Sequence, residues 1–314
     1  MSKKKLYVVV PCYNEEEVLD ETAKRLTAEM ARLEKRGLIS DASRAVLVND
    51  GSKDKTWEII ERLAKNKLFV GLKLSRNRGH QNALLAGLMY AKDHADVIVS
   101  MDADLQDDIG AVEKMLVENN KGAEIVYGVR TARKKDSFFK RNTALAFYKL
   151  MKIFGVDIVY NHADYRLMSR RAVEELAEYR EVNLFLRGIV PLIGLKTATV
   201  GYERNERFAG ESKYPLKKMI SFALDGITSF SVKPLKMITT LGVLVFIVSI
   251  LVLIYSFVVK LLGWTVDGWA FLVCSIWIMG GLQMISLGVV GSYVGKIYSE
   301  TKQRPRFIVE KIVE

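Results

Sequence analysis

Up to Arg130, apolar runs of strand length alternate with amphipathic segments. Leu6–Val10, Ala45–Val48, Phe69–Leu74, Asp96–Met101 and Glu124–Tyr127 read as strands; Glu15–Lys35, Lys55–Lys65, Gln81–Lys92 and Ile109–Asn119 carry helical spacing. Continuous apolar strands between helices predict an α/β fold with a mostly parallel sheet covered on both faces. Ligands of such sheets bind at the carboxyl ends of the strands. The polar residues there are Pro11-Cys12-Tyr13-Asn14-Glu15, Asn49-Asp50-Gly51-Ser52, Ser75-Arg76-Asn77 and Asp102-Ala103-Asp104.

The pattern changes after Lys236. Residues 238–261 and 270–293 are two apolar runs, the first uncharged until Lys260 and the second without any charge. A bilayer core needs about 20 helical residues, so the pair predicts a transmembrane hairpin rather than two buried core helices. Gly263 and Gly268 break the short loop, and Trp264 and Trp269 suit an interfacial belt. Lys233 and Lys236 precede the first span; Lys296, Lys302, Arg304, Arg306 and Lys311 follow the second. The positive-inside rule then places both termini in the cytoplasm of a multi-pass inner-membrane protein. The expected organisation is a cytosolic domain (1–212), interfacial juxtamembrane helices (213–236), the hairpin (237–295) and a cytosolic tail (296–314). No secretory signal is visible, since Lys3, Lys4 and Lys5 precede only a strand-length apolar run.

The net charge of +11 permits nucleic-acid or membrane contact. No base-stacking or groove-reading motif accompanies it, so a membrane surface is expected and no nucleic acid. Residues 130–152 form a basic, amphipathic segment that could lie on anionic lipid or pack on the core. The two cysteines, Cys12 and Cys274, fall in different compartments of this scheme and are not expected to pair.

Two carboxylates two residues apart at a strand end, Asp102 and Asp104, can share a hard cation such as Mg²⁺ or Mn²⁺ with phosphate oxygens. D-x-D by itself is also an ordinary solvated turn. Asp50-Gly51-Ser52 is likewise common turn chemistry. The glycine-rich fingerprints of dinucleotide and phosphate loops are absent.

Together, VVVPCYNEEE, VNDGSKDKT, SRNRGHQNALLAG and MDADLQDD resemble the family 2 glycosyltransferases. The subgroup is that of the dolichol-phosphate mannose synthases and bacterial polyprenyl-phosphate glycosyltransferases. The resemblance covers the soluble part, and the two terminal spans fit the bacterial members. It implies a nucleotide-sugar-binding (GT-A-type) fold in which Pro11, Tyr13, Asn14 and Glu15 line the nucleotide pocket. Asp50 would hold base or ribose; Asp102, Asp104 and Gln106 would hold Mg²⁺ or Mn²⁺ and the diphosphate. Two departures stand out: Asn49 replaces a common Asp, and Asp107-Asp108-Ile109-Gly110 lacks the prolines that would stiffen the family's loop.

For the acceptor, Arg130 and the segment Arg207, Ser212 and Lys213, which looks like the family's R-x-x-G-x-S-K-Y, offer donors to anionic phosphates. Asp164 aligns with the acid often proposed as base in relatives; orienting Arg166 or the acceptor fits it equally. His162 reads as a turn or surface histidine, and a dianionic phosphate, with a second pKa near about 6, needs no base. The implied reaction is inverting, metal-dependent transfer of a hexose, glucose from UDP-glucose being favoured, to undecaprenyl or another polyprenyl phosphate. A processive polysaccharide synthase would carry a Q-x-x-R-W segment and more spans, and neither is present. An inactive membrane-anchored nucleotide-sugar-binding protein is the other alternative. A dimer or tetramer is expected only from the resemblance.

Overall fold

The computed structural model describes residues 3–130, 162–182, 184–203, 227–228, 231–263 and 268–314. Its first half alternates strand and helix: β1 (Leu6–Cys12), α1 (Leu19–Lys35), β2 (Arg44–Asn49), α2 (Thr56–Leu63), β3 (Phe69–Leu74), α3 (His80–Lys92), β4 (Val97–Ser100), α4 (Ala111–Asn120) and β5 (Ile125–Arg130). These agree with the sequence pattern to within a few residues. Then follow β6 (His162–Ser169), α5 (Arg170–Ala177), α6 (Leu186–Leu192), β7 (Thr197–Tyr202), the long helices α7 (Lys233–Leu261) and α8 (Trp269–Thr301), and β8 (Val309–Val313).

One eight-stranded sheet carries the order β7-β5-β6-β4-β1-β2-β3-β8. Strands β3, β2, β1 and β4 are parallel, as are β5 and β7, while β6 and β8 run antiparallel to their neighbours. The mostly parallel sheet is therefore as expected. Strand β6 was not legible as a strand, since its polar residues Asp164 and Arg166 break the apolar run.

Alternation along each strand divides the core between two faces. Leu6, Val8 and Val10 point to the layer made with Leu19, Leu26 and Leu33 of α1 and Met115 of α4. Tyr7 and Val9 point to the other, made with α3, Val173 and Leu176 of α5 and Leu186 and Ile189 of α6. Each fully buried aliphatic side chain contributes about 1.5–3 kcal/mol of apolar burial. Helix α3 lies especially close to the sheet: a Cβ on Gly87 would stand 2.3 Å from Val9 Cγ1 and 2.9 Å from Val48 Cγ2.

Helices α7 and α8 are long and apolar enough to cross a bilayer, and their apolar windows are unburied. Gly263 (φ +73) follows the first and Gly268 precedes the second, as the sequence suggested. Helix α8 runs on to Thr301, and β8 then pairs with β3, so the hairpin leaves and rejoins the same sheet.

On an exposed helix, Gly→Ala stabilises by up to about 1 kcal/mol. Gly87→Ala is expected to reverse that sign and cost about 1–3 kcal/mol through overpacking against Val9 and Val48. Denaturant or thermal unfolding of the two proteins checks it, and an unchanged or raised stability contradicts the close approach.

Candidate functional site

The carboxyl ends of β1, β2, β3 and β4 meet at one edge of the sheet, and side chain–backbone bonds stitch their loops together. Asn14, at φ +55, a conformation asparagine tolerates, donates its N–H to Ser52 Oγ (3.1 Å) and accepts at Oδ1 from Lys53 N–H (2.9 Å). Glu15 N–H donates to Thr56 Oγ1 at 2.9 Å. Pro11 is buried within β1, whereas Tyr13 is exposed. Burial pushes the Cys12 thiol well above its ordinary range, so it is no nucleophile here.

The Asn49-Asp50-Gly51-Ser52 turn acts as a clamp. Gly51 has φ +64, and a Cβ there would stand 2.4 Å from Asn77 N, so only glycine fits. The buried Asp50 carboxylate accepts from Arg78 N–H (2.7 Å) and Gly79 N–H (2.9 Å). Burial raises its pKa, and the two amides oppose that rise. Asp50 thereby fixes the loop from Ser75 to Gly79 that launches α3, and each oxygen retains a lone pair for another donor.

Asp102 and Asp104 follow β4, with Leu105 buried at φ +58 between Asp104 and Gln106. Asp104 Oδ1 accepts from Gln106 N–H at 3.2 Å. The loop lacks prolines but is fastened by two phenols. Tyr165 OH donates to Asp108 O at 2.8 Å and Tyr202 OH to Asp107 Oδ1 at 2.5 Å, with the two rings edge to face.

Strand β6 brings the second acidic element. Ser100 lies opposite Arg166 in the antiparallel register, so Asp164 falls alongside Asp102. The pleat puts Ser100, Asp164 and Arg166 on the α3 side of the sheet. There Asp164, almost fully buried, pairs with Arg166 (2.5 Å) and with Arg187 of α6 (3.0 Å). Burial would raise its pKa, but Arg187, Arg166 and His80 outweigh it and hold the carboxyl well below the usual range. Burial draws the Arg166 guanidinium down and Asp164 opposes that. A carboxylate held so firmly ionised is a weak proton acceptor, which favours positioning over general-base work for Asp164.

His80, the first residue of α3, joins the two acids: its Nε2 lies 3.5 Å from Asp102 Oδ1 and 3.8 Å from Asp164 Oδ2. Gln81 fastens α6 by accepting Leu186 N–H at 3.0 Å. The sequence reading assigned no role to His80, Gln81 or Arg187. His80 and Gln81 stand inside the quoted SRNRGHQNALLAG segment; Arg187 has no local signal beyond a charge in an apolar stretch.

Among the described residues, no group of three or more His, Cys, Asp or Glu side chains could hold a cation alone. Asp102, 37% exposed at its side chain, and Asp104 still suit a hard divalent cation that completes its shell with substrate phosphates and water. Arg130 is the last residue of β5, opposite Tyr202, and His162 the first of β6, opposite Val129. Arg207, Ser212 and Lys213, the basic segment 131–152, most of the interfacial segment 213–236, and Trp264 lie outside the described residues.

Residues 7–177 match the sequence profile of Glycosyl transferase family 2. The chain is 54% identical over 306 residues to the uncharacterised glycosyltransferase YkoT of Bacillus subtilis (strain 168), covering 97% of this chain and 91% of that one. It is 41% identical over 312 residues to the bactoprenol glucosyl transferase of Shigella phage SfII, covering 98% of each. Among solved structures it is similar to the mannosyltransferase PcManGT from Pyrobaculum calidifontis in complex with GDP-Man and Mn²⁺ (TM-score 0.47, 14% identity, 95% of this chain and 88% of that one).

A depressed carboxyl pKa contributes stability that is present above the unfolded value and lost as pH falls through the folded one. Asp164→Asn leaves the Arg166 charge uncompensated and is expected to cost about 3–5 kcal/mol at neutral pH. The gap to wild type should narrow as pH falls below about 4, because Asp164 of the unfolded wild-type chain takes up a proton there while the folded carboxyl stays ionised. Unfolding curves from pH 7 to pH 2 check this; parallel acid limbs contradict it.

Proposed function

The chain belongs to glycosyl transferase family 2, and from that premise we propose that it transfers glucose from UDP-glucose to a polyprenyl phosphate such as undecaprenyl phosphate, at the cytoplasmic face of the membrane. That it is a glycosyltransferase follows from the family. The acceptor and the sugar are supported by its 41% identity, along nearly the whole chain, to a relative named bactoprenol glucosyl transferase. One structural observation supports the chemistry: Asp102 and Asp164 face each other across His80 at the carboxyl edge of the sheet.

The donor half of the reading rests on the stitched loops. Tyr13, Asn14 and Glu15 would border the nucleotide pocket beside Pro11, and Asp50, which holds the Ser75–Gly79 loop, would contact base or ribose. Asp102, Asp104 and Gln106 would hold Mg²⁺ or Mn²⁺ with the diphosphate. The cation supplies charge neutralisation for the leaving group when bound. The protein's own contribution is fixed electrostatics, costing no rearrangement at the moment of reaction. Arg130, Arg207, Ser212 and Lys213 would grip the acceptor phosphate, with Asp164 and Arg166 as the rigid floor. The phosphate oxygen attacks the anomeric carbon as the bond to the diphosphate breaks, giving an inverted lipid-linked sugar and a nucleoside diphosphate. The two apolar helices keep the enzyme where a polyprenyl chain resides, with both chain termini and the transfer domain in the cytoplasm. The product suits a donor for cell-envelope glycosylation.

Purified full-length protein, given labelled UDP-glucose, undecaprenyl phosphate and Mg²⁺, is expected to form a labelled lipid. Asp104→Asn should lower kcat by about 10²–10³-fold, and chelation should abolish transfer until Mn²⁺ or Mg²⁺ is restored. Wild-type turnover by Asp104→Asn removes the metal assignment. Transfer from a different nucleotide-sugar in a donor panel replaces glucose.

A further inference from the structure

The membrane helices and the buried acid of the site are joined by a short route through the protein. Helix α8 ends at Thr301, and Glu300 in its last turn accepts Val182 N–H at Oε2 (2.8 Å). A few residues later, the half-buried Arg306 donates from a guanidinium nitrogen to Tyr179 O (2.9 Å). Phe307 packs on the same core layer as α6. Ile308 O accepts Ser75 N–H (3.0 Å), and β8 then pairs with β3.

These contacts fall on two segments only a few residues from the site. Ser75 opens the loop that delivers His80. Tyr179 and Val182 precede Arg187, which pairs with Asp164 at 3.0 Å, and Gln81 beside His80 ties down Leu186. The tail thus holds the outer ends of both segments whose inner ends meet Asp164. The contact of Lys311 with Glu61 on α2 lies on the exposed sheet edge and touches neither segment.

We propose that Glu300 and Arg306 are positioning residues for transfer: they lock Tyr179 and Val182 to the end of the second membrane helix and so set Arg187 against Asp164. A guanidinium that must neutralise a buried carboxylate works within narrow limits, because a small displacement leaves the charge unpaired. Small displacements within a site can cost up to about 10²-fold in rate. In this arrangement the hairpin does more than anchor the enzyme, since its returning end is part of the scaffold of the cleft. The kinetic part rests on the transfer reaction proposed above; the structural part does not.

The test uses full-length protein in lipid nanodiscs. Hydrogen exchange is read over residues 179–192 and, as reference, over β1 and β4; transfer is read as kcat and as KM for the nucleotide-sugar. Arg306→Ala, alone and with Glu300→Ala, is expected to speed exchange in 179–192 with the reference strands unchanged. It should lower kcat about tenfold while donor KM stays within about twofold. Arg306→Lys, which can still donate to Tyr179 O, should recover most of both, and Glu61→Gln should match wild type. Unchanged exchange at 179–192 overturns the lock. Faster exchange with wild-type kcat overturns its role in transfer. A uniform rise that includes β1 and β4, with Arg306→Lys no better than Arg306→Ala, shows a general fold defect and overturns the positioning role. If wild-type protein transfers no sugar to polyprenyl phosphate, the functional reading falls, and the exchange comparison alone still decides whether the lock exists.

Discussion

A buried carboxylate can stay charged only in company, and at Asp164 that company comes from two places in the chain. Arg166 stands two residues along the same strand and Arg187 arrives from α6. Taking these ions out of water costs several kcal/mol each, and only close pairing offsets it. The cluster therefore makes the placement of β6, α6 and the start of α3 interdependent. Neither β6 nor α6 can shift alone without leaving a charge of this cluster unpaired. Apolar packing gives the sheet its thickness, while this ionic knot fixes how β6 and α6 meet.

The other side of the cleft is organised by different means. Backbone amides are tied by short side chains: Asn14 to Lys53, Asp50 to Arg78 and Gly79, Asp104 to Gln106. Such bonds are directional and hold the loops after β1, β2 and β4 in fixed conformations. The candidate site thus combines a set of small, stitched turns with a buried charged cluster. A glycosyltransferase that handles a soluble donor and a lipid acceptor has a use for both.

Much of this was legible in the chain. The parallel core announced itself because β1 to β4 are buried on both faces and read as unbroken apolar runs. The acids after those strands stood out because a strand end concentrates polar residues where ligands bind. Strand β6 did not, because Asp164 and Arg166 serve the site and spoil the apolar pattern that marks a strand. Arg187 was invisible for a related reason. Its partner lies 23 residues away in sequence, and only tertiary structure reveals that a lone charge in Leu186–Leu192 is paired. Strand β8 is short and charged, as edge strands commonly are, so its pairing with β3 could not be read from periodicity.

That edge pairing has a temporal side. Strand β3 is made early and its outer edge has no neighbour until β8 appears, and β8 is made after both apolar helices. During synthesis the domain therefore carries an open row of amides and carbonyls until the hairpin is complete. Until β8 arrives, the unsealed border of β3 is the stretch of the domain most open to pairing with another chain.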